Sequence, residues 1–230
     1  MVVTMCIAHD NISPMTAAYQ SEFIDLCVRL GVLRFGSFTL KSGRESPYFF
    51  NAGLFNTGDA IAAAGRAYAA ALAESDLKFD MLFGPAYKGV PLVTITAAAL
   101  ADKHRRNVPF AFNRKETKDH GEGGRIVGSP LMGRVLIVDD VITAGTAIRE
   151  SIDIIRAAGA TPAGVLLALD RQERASDSDF SAVQEVRSQF QIPVVSVINL
   201  ADLMQHVSKV GQASDLLKMR TYRERYGLAD

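Results

Sequence analysis

The residues of this chain best placed to do chemistry are two adjacent acids followed by a short threonine, glycine and alanine run. They lie within VLIVDDVITAGTAIRES, 135–151. The apolar run 135–138 predicts a buried strand, and a helix is expected from about Thr146 to Ala158. Asp139 and Asp140 then stand at the carboxyl end of the strand. Val141, Ile142, Thr143, Ala144, Gly145, Thr146 and Ala147 form the loop that opens the helix. In an open α/β sheet, ligands bind outside the carboxyl ends of the strands. Backbone N–H groups of such a loop converge at a helix N-terminus, where the helix dipole favours an anion. Gly145 lets the backbone approach a ligand closely, and Thr143 and Thr146 add hydroxyl donors. A phosphate set directly against two carboxylates would be repelled. A ribose 5-phosphate removes the conflict, because its phosphate takes the amides while its hydroxyls donate to Asp139 and Asp140. The carboxylates would also stabilise positive charge that develops on a sugar ring when C1′ loses its leaving group. Neither a Walker loop nor a dinucleotide G-x-G-x-x-G is present.

The rest of the chain supplies elements to position this loop. Residues 20–33 place Phe23, Leu26, Cys27 and Leu30 at helical spacing, with Gly31 as a stop. Two β-prone runs, SFTL and YFFNAG, flank the turn formers SGRESP, so a hairpin is expected before the main sheet. Residues 58–74 are alanine-rich and favour a helix. The main rhythm then runs from strand FDMLFG (79–84) through a helix from about Val90 to Lys103 to strand VPFAF (108–112). It resumes with the strand and helix already described, strand GVLLAL (164–169), a helix around 180–190 and strand PVVSVI (193–198). Ile148, Ile152, Ile155 and Gly159 fall on one stripe of the helix after the cradle. Continuous apolar strands alternating with amphipathic helices predict an α/β fold, with a mostly parallel sheet covered on both faces. The tail, 199–226, reads as two polar-faced helices on the edge. One segment breaks the rhythm. NRKETKDHGEGGRIVGSP, 113–130, holds four glycines and eight charged or histidine side chains, and a mobile loop is expected there.

Lys+Arg and Asp+Glu balance at 25 each, so no global field draws the chain to nucleic acid or to anionic membrane. Any anion site must be a local cluster. Two cysteines, Cys6 and Cys27, make neither a disulfide framework nor a zinc site, and a cytoplasmic location is expected. No run of 18 apolar residues and no secretory signal is apparent, and the first 18 residues are expected to be a disordered extension.

The string DDVITAGTA (139–147) is similar to the PRPP-binding motif of the type I phosphoribosyltransferases. Three further stretches resemble the orotate enzymes of that family. FTLKSGRESPYFFNAG (38–53) looks like their hood hairpin, FGPAYKG (83–89) like their pyrophosphate loop, and NRKETKDHGEGG (113–124) like their flexible catalytic loop. The likeness runs from about Tyr19 to the C-terminus. It implies a single domain, 19–230, whose core sheet carries a hood drawn mainly from 19–57 and the C-terminal part. It also implies Mg²⁺-dependent transfer of ribose 5-phosphate from PRPP to orotate, giving orotidine 5′-monophosphate and pyrophosphate. Purine-type members share the PRPP loop but have no reason to carry FTLKSG with a downstream YFFNAG.

PRPP carries roughly five negative charges, so several cations must converge on it. By resemblance Tyr87 and Lys88 meet the pyrophosphate, and Arg114, Lys115, Lys118 and His120 close over it from the long loop. Lys41 reaches in from the hood. Phe49 and Phe50, with Thr143, contact the base, and Arg171 anchors the orotate carboxylate. Strand alternation allows only one of Phe49 and Phe50 on a given face. The implied catalytic groups are Lys118, Arg114, His120 and Asp140. Mg²⁺ would be held by PRPP and water, with Asp139 and Asp140 reaching it through water and no direct protein ligand. A non-proline cis peptide is implied near Ala86–Tyr87, as is a homodimer whose loop enters the neighbour's site.

Overall fold

The computed structural model describes residues 17–40, 42–118, 124–143, 145–175 and 178–228, without the side chains of 117, 118 and 124. Helix α1 (Ala18–Arg29) precedes an antiparallel hairpin, β1 (Leu33–Thr39) and β2 (Glu45–Phe50), which forms a sheet of its own. Its register pairs Leu33 with Phe50 and Thr39 with Glu45, with an irregularity between Phe35 and Phe38. Helix α2 (Gly58–Glu74) leads to β3 (Met81–Gly84), α3 (Gly89–His104), β4 (Phe110–Lys118) and β5 (Gly124–Gly128). Then come β6 (Arg134–Asp139), α4 (Thr146–Ala157), β7 (Thr161–Asp170), α5 (Ala182–Phe190), β8 (Val194–Asn199), α6 (Leu200–Lys209) and α7 (Ala213–Tyr226).

The six-stranded sheet has the order β5-β4-β3-β6-β7-β8, parallel throughout except for β5. Its strands are apolar on both faces because both faces are covered, and adjacent residues go to opposite layers. Leu82, Leu136, Val138, Leu166 and Ala168 pack with α1, α2, α3, α6 and α7. Met81, Phe83, Val135, Ile137, Val165 and Leu167 pack under α4 and α5, against Ile148, Ile152 and Ile155. The isoleucine stripe expected from sequence is therefore the face that α4 buries. Cys27 is fully buried in the first layer. Among the described residues no helix is long and apolar enough to cross a membrane.

The connections diverge at one place. From β3 the chain crosses through α3 to β4, and from β6 through α4 to β7, on the opposite face and in the opposite direction. The carboxyl ends of β3 and β6 are thus neighbours at a topological switch point, where a crevice opens.

The segment 113–130 departs from the expected loop. Strand β4 continues to Lys118 and pairs with β5, matching Phe112 with Val127 and Asn113 with Ile126. Edge pairing of this kind needs only backbone groups and a few β-prone side chains, so a polar composition did not preclude it. Residues 119–123 lie outside the description.

Candidate active site

Two turns face each other across the crevice. After β3, Pro85, Ala86, Tyr87 and Lys88 make the first, with a cis peptide between Ala86 and Tyr87. After β6, Asp139 and Asp140 begin the second. The Lys88 Nζ lies 2.8 Å from the Asp140 Oδ2, so one ion pair spans the switch point. Lys88 is about half exposed while the Asp140 side chain is buried.

The acids are held from several sides. The Asp140 N–H donates to Asp139 Oδ1 at 2.9 Å, and the Val141 N–H donates to Asp140 Oδ1 at 2.9 Å. The Tyr68 hydroxyl, reaching up from α2, donates to the Asp139 carbonyl at 3.0 Å. The Ala168 N–H donates to the Asp140 carbonyl at 2.9 Å, which ties the turn to β7. Burial and the adjacent Asp140 carboxylate push the Asp139 carboxyl up to about 7, against the opposing pull of its hydrogen bond from Asp140 and of Lys88.

A carboxyl raised in this way keeps its proton in the folded chain over a range where the unfolded chain has lost it. Stability should therefore fall as pH climbs from about 4 to about 7. Asp139→Asn removes the dependence, and on the order of 2–4 kcal/mol should be gained over the parent at pH 8, with no gain at pH 4. Urea unfolding of both proteins across that range measures it, and parallel pH profiles would refute the assignment.

The second turn leads into α4. Gly145 sits at φ 70°, a left-handed conformation suited to glycine, and starts α4 with no side-chain cap and no acid in the first turn. Thr143, Thr146 and Ala147 are exposed around it. No side chain caps the start of the helix, and the first amides of a helix are the kind of donors that suit an anion. Ala144 lies outside the described residues, as do Lys41 and His120, and nothing is described of the Lys118 side chain.

Of the expected cations, Lys115 comes to the first turn, its Nζ 4.9 Å from the Tyr87 ring centroid. Arg114 is on the same strand, half-buried. A cleft of about 320 Å³ opens between the turn, the β4–β5 arm and α4, lined among others by Ala86, Asn113, Lys115, Arg125, Ala147 and Glu150. Among the described residues no group of three or more His, Cys, Asp or Glu is arranged to hold a metal.

On the hairpin the two phenylalanines part. Phe50 is 8% exposed and belongs to the core, whereas Phe49 is half-buried and stacks on Phe38, centroids 5.6 Å apart, beneath Arg34. Arg171 sits just past β7 with its side chain 15% exposed. It pairs with Glu173 at 2.7 Å, and its Nη2 donates to the Ser46 hydroxyl at 3.0 Å.

Sequence reasoning missed three supports of this site. Asn113 is buried on β4, and its Oδ1 accepts from the Ala86 N–H at 2.8 Å, fixing the first turn. A polar residue ending an apolar run was the only signal. Tyr68 was hidden in an alanine-rich helix, and Glu173 in a stretch with no pattern.

A family model described as a phosphoribosyl transferase domain matches residues 54–197. The orotate phosphoribosyltransferase of Thioalkalivibrio sulfidiphilus is 61% identical over 211 residues, 91% of this chain and 99% of the relative. This chain belongs to the orotate phosphoribosyltransferase family. The orotate phosphoribosyltransferase of Marinobacter nauticus is 62% identical, over 91% of this chain and 99% of that protein. The crystal structure of the Francisella tularensis orotate phosphoribosyltransferase superposes with a TM-score of 0.82 at 46% identity, covering 90% of this chain and 99% of that one. As an orotate phosphoribosyltransferase family member, the chain carries its DDVITAGTA string at the second turn of the switch point.

Proposed function

We propose that this chain transfers ribose 5-phosphate from PRPP to orotate, forming orotidine 5′-monophosphate and pyrophosphate in pyrimidine biosynthesis, as a cytoplasmic homodimer. The observation that carries the reading is the Lys88–Asp140 ion pair, which brings a pyrophosphate-type turn and a ribose-type acid together beside an uncapped helix.

The amides of residues 141–147, with the Thr143 and Thr146 hydroxyls, hold the 5′-phosphate. Asp139 and Asp140 accept from the ribose hydroxyls, and such donors favour their charged forms. Lys88 then exchanges Asp140 for pyrophosphate, with Tyr87, Arg114, Lys115, Lys118 and His120 completing the cation set. Asp139 and Asp140, hard oxygen donors at one strand end, would hold Mg²⁺ through water, since the ion keeps its waters and takes ligands from substrate phosphates. When bound, Mg²⁺ supplies charge neutralisation to the pyrophosphate. Arg171 takes the orotate carboxylate, with Lys41, Thr143 and Phe49 around the ring. Phe50 supports that wall from the core. As the orotate nitrogen bonds to C1′, the bond from C1′ to pyrophosphate breaks, and the buried acids offset positive charge on the ring. No covalent enzyme intermediate is invoked; positioning and electrostatics suffice.

Assay of the purified chain with PRPP and MgCl₂ against orotate, hypoxanthine, guanine and adenine tests this directly. Turnover is expected with orotate alone, and turnover only with a purine would overturn the reading.

A further inference from the structure

Arg171 does not stand alone. Its guanidinium lies 4.3 Å from the Tyr48 ring centroid, and both Nη2 hydrogens are engaged, one by Ser46 and one by Glu173. Glu173 Oε1 also accepts from the Tyr48 hydroxyl at 3.1 Å. The Glu173 side chain is 11% exposed, so this is a largely shielded pair with a definite orientation. Burial works against the Arg171 charge, but Tyr48 and Glu173 outweigh it and hold the guanidinium firmly protonated. Nη1 and Nε carry the other three N–H donors of the guanidinium.

The C-terminal helix closes the cluster. Tyr222 of α7 is 5% exposed, packs edge-on against Tyr48, and its buried hydroxyl lies beside Arg171 and Glu173 without a well-formed hydrogen bond to either. Burial and the nearby Glu173 push that phenol up to about 12, so it remains a donor. A buried donor without an acceptor is costly and needs an explanation. Glu173 supplies one. When a ligand carboxylate shares the Arg171 guanidinium, Glu173 loses part of its compensation, and the adjacent phenol can donate to it.

The surrounding backbone holds α7 in place for this. Glu173 bridges to Gly227, the Arg174 N–H donates to the Tyr226 carbonyl at 2.9 Å, and Arg44 of the hairpin donates to the Arg174 and Ala175 carbonyls.

We propose that Glu173 and Tyr222 are positioning residues that present the Arg171 guanidinium to the carboxylate of the pyrimidine, so that the C-terminal helix takes part in base selection. This rests on the assignment of Arg171 to the orotate carboxylate made above. Losing orientation outweighs removing the Glu173 charge. A freed Arg171 has the Ser46 hydroxyl and the Tyr48 face as alternative seats, and an arginine side chain has large rotamer entropy.

The test is steady-state kinetics of the full chain carrying Arg171→Ala, Glu173→Gln or Tyr222→Phe. The readouts are separate KM values for orotate and PRPP, and the inhibition constant of uracil, which has the ring without the carboxylate. Arg171→Ala should raise the KM for orotate by about 50-fold or more, Glu173→Gln by about 5- to 10-fold and Tyr222→Phe by about 3-fold, at unchanged KM for PRPP and unchanged uracil inhibition. If Arg171→Ala leaves orotate binding intact, the reading of Arg171 itself fails and this inference with it. If Arg171→Ala weakens orotate while Glu173→Gln does not, only the positioning inference fails. Equal losses for orotate, PRPP and uracil would assign Glu173 a merely structural role and overturn it. Should Glu173→Gln not fold, Tyr222→Phe, which leaves the Arg171–Glu173 pair in place, carries the same test.

Discussion

Asp140→Asn is expected to lose about 100- to 1,000-fold in kcat/KM while remaining folded. The substitution keeps an oxygen that can accept from the Val141 N–H, so the turn should survive. It removes a buried negative charge from beside the site where positive charge develops on the ribose ring. It also removes the ion-pair partner of Lys88, but that lysine is about half exposed and water can replace the carboxylate. The cost should therefore fall on turnover rather than on stability. The same variant tests whether sites are shared between subunits. When it is mixed with a Lys118→Ala chain, each mixed dimer assembles one site from two intact contributions. Random exchange should then restore about a quarter of the parent activity. Verified subunit exchange without recovery would show that each chain completes its own site, and a folded Asp140→Asn enzyme at near-parent rate would remove Asp140 from the chemistry.

How far this site could be read from sequence depends on the range of each interaction. Local pattern sufficed where the signal was periodic. The alanine-rich run gave α2 with its observed bounds, and the apolar run into two acids gave β6 and the start of the cradle. Adjacent Phe49 and Phe50 had to face opposite ways, and the structure resolves which one is core. The β4–β5 arm was hidden because glycine and charge dominate its composition, while its pairing rests on backbone groups. Tyr68 and Asp139, 71 residues apart, and Ala86 and Asn113, 27 apart, meet only once the parallel sheet is assembled. The cluster around Arg171 joins a strand of the hairpin, a loop after β7 and the last helix. No periodicity in the chain encodes such a meeting.

The same dependence on assembly makes two glycines decisive. Gly84 ends β3 and Gly89 begins α3, and the turn between them carries Lys88. A Cβ on Gly89 would lie 2.5 Å from the Pro85 Cδ and 2.9 Å from the Val138 carbonyl oxygen, and a Cβ on Gly84 would lie 2.2 Å from the Gly89 carbonyl oxygen. The obstacles are largely backbone and a proline ring, which cannot rotate aside. Gly89→Ala should therefore push the first turn away from β6, the strand that delivers Asp139 and Asp140. Overpacking of this kind costs about 1–3 kcal/mol, a fall of roughly 3–10 °C in Tm for a chain of this size. The functional loss should be larger than the stability loss, since a displacement near 1 Å can cost about 100-fold in rate. Gly159→Ala is the control. Unlike Gly89 it sits at positive φ, 76°, where any Cβ strains the backbone, but its added Cβ meets nothing within 4 Å. It should lower Tm modestly and leave heat release on PRPP and Mg²⁺ binding unchanged, whereas Gly89→Ala should abolish that heat. Equal calorimetric binding by the two variants would mean that close approach at Gly89 does not set the geometry of the site.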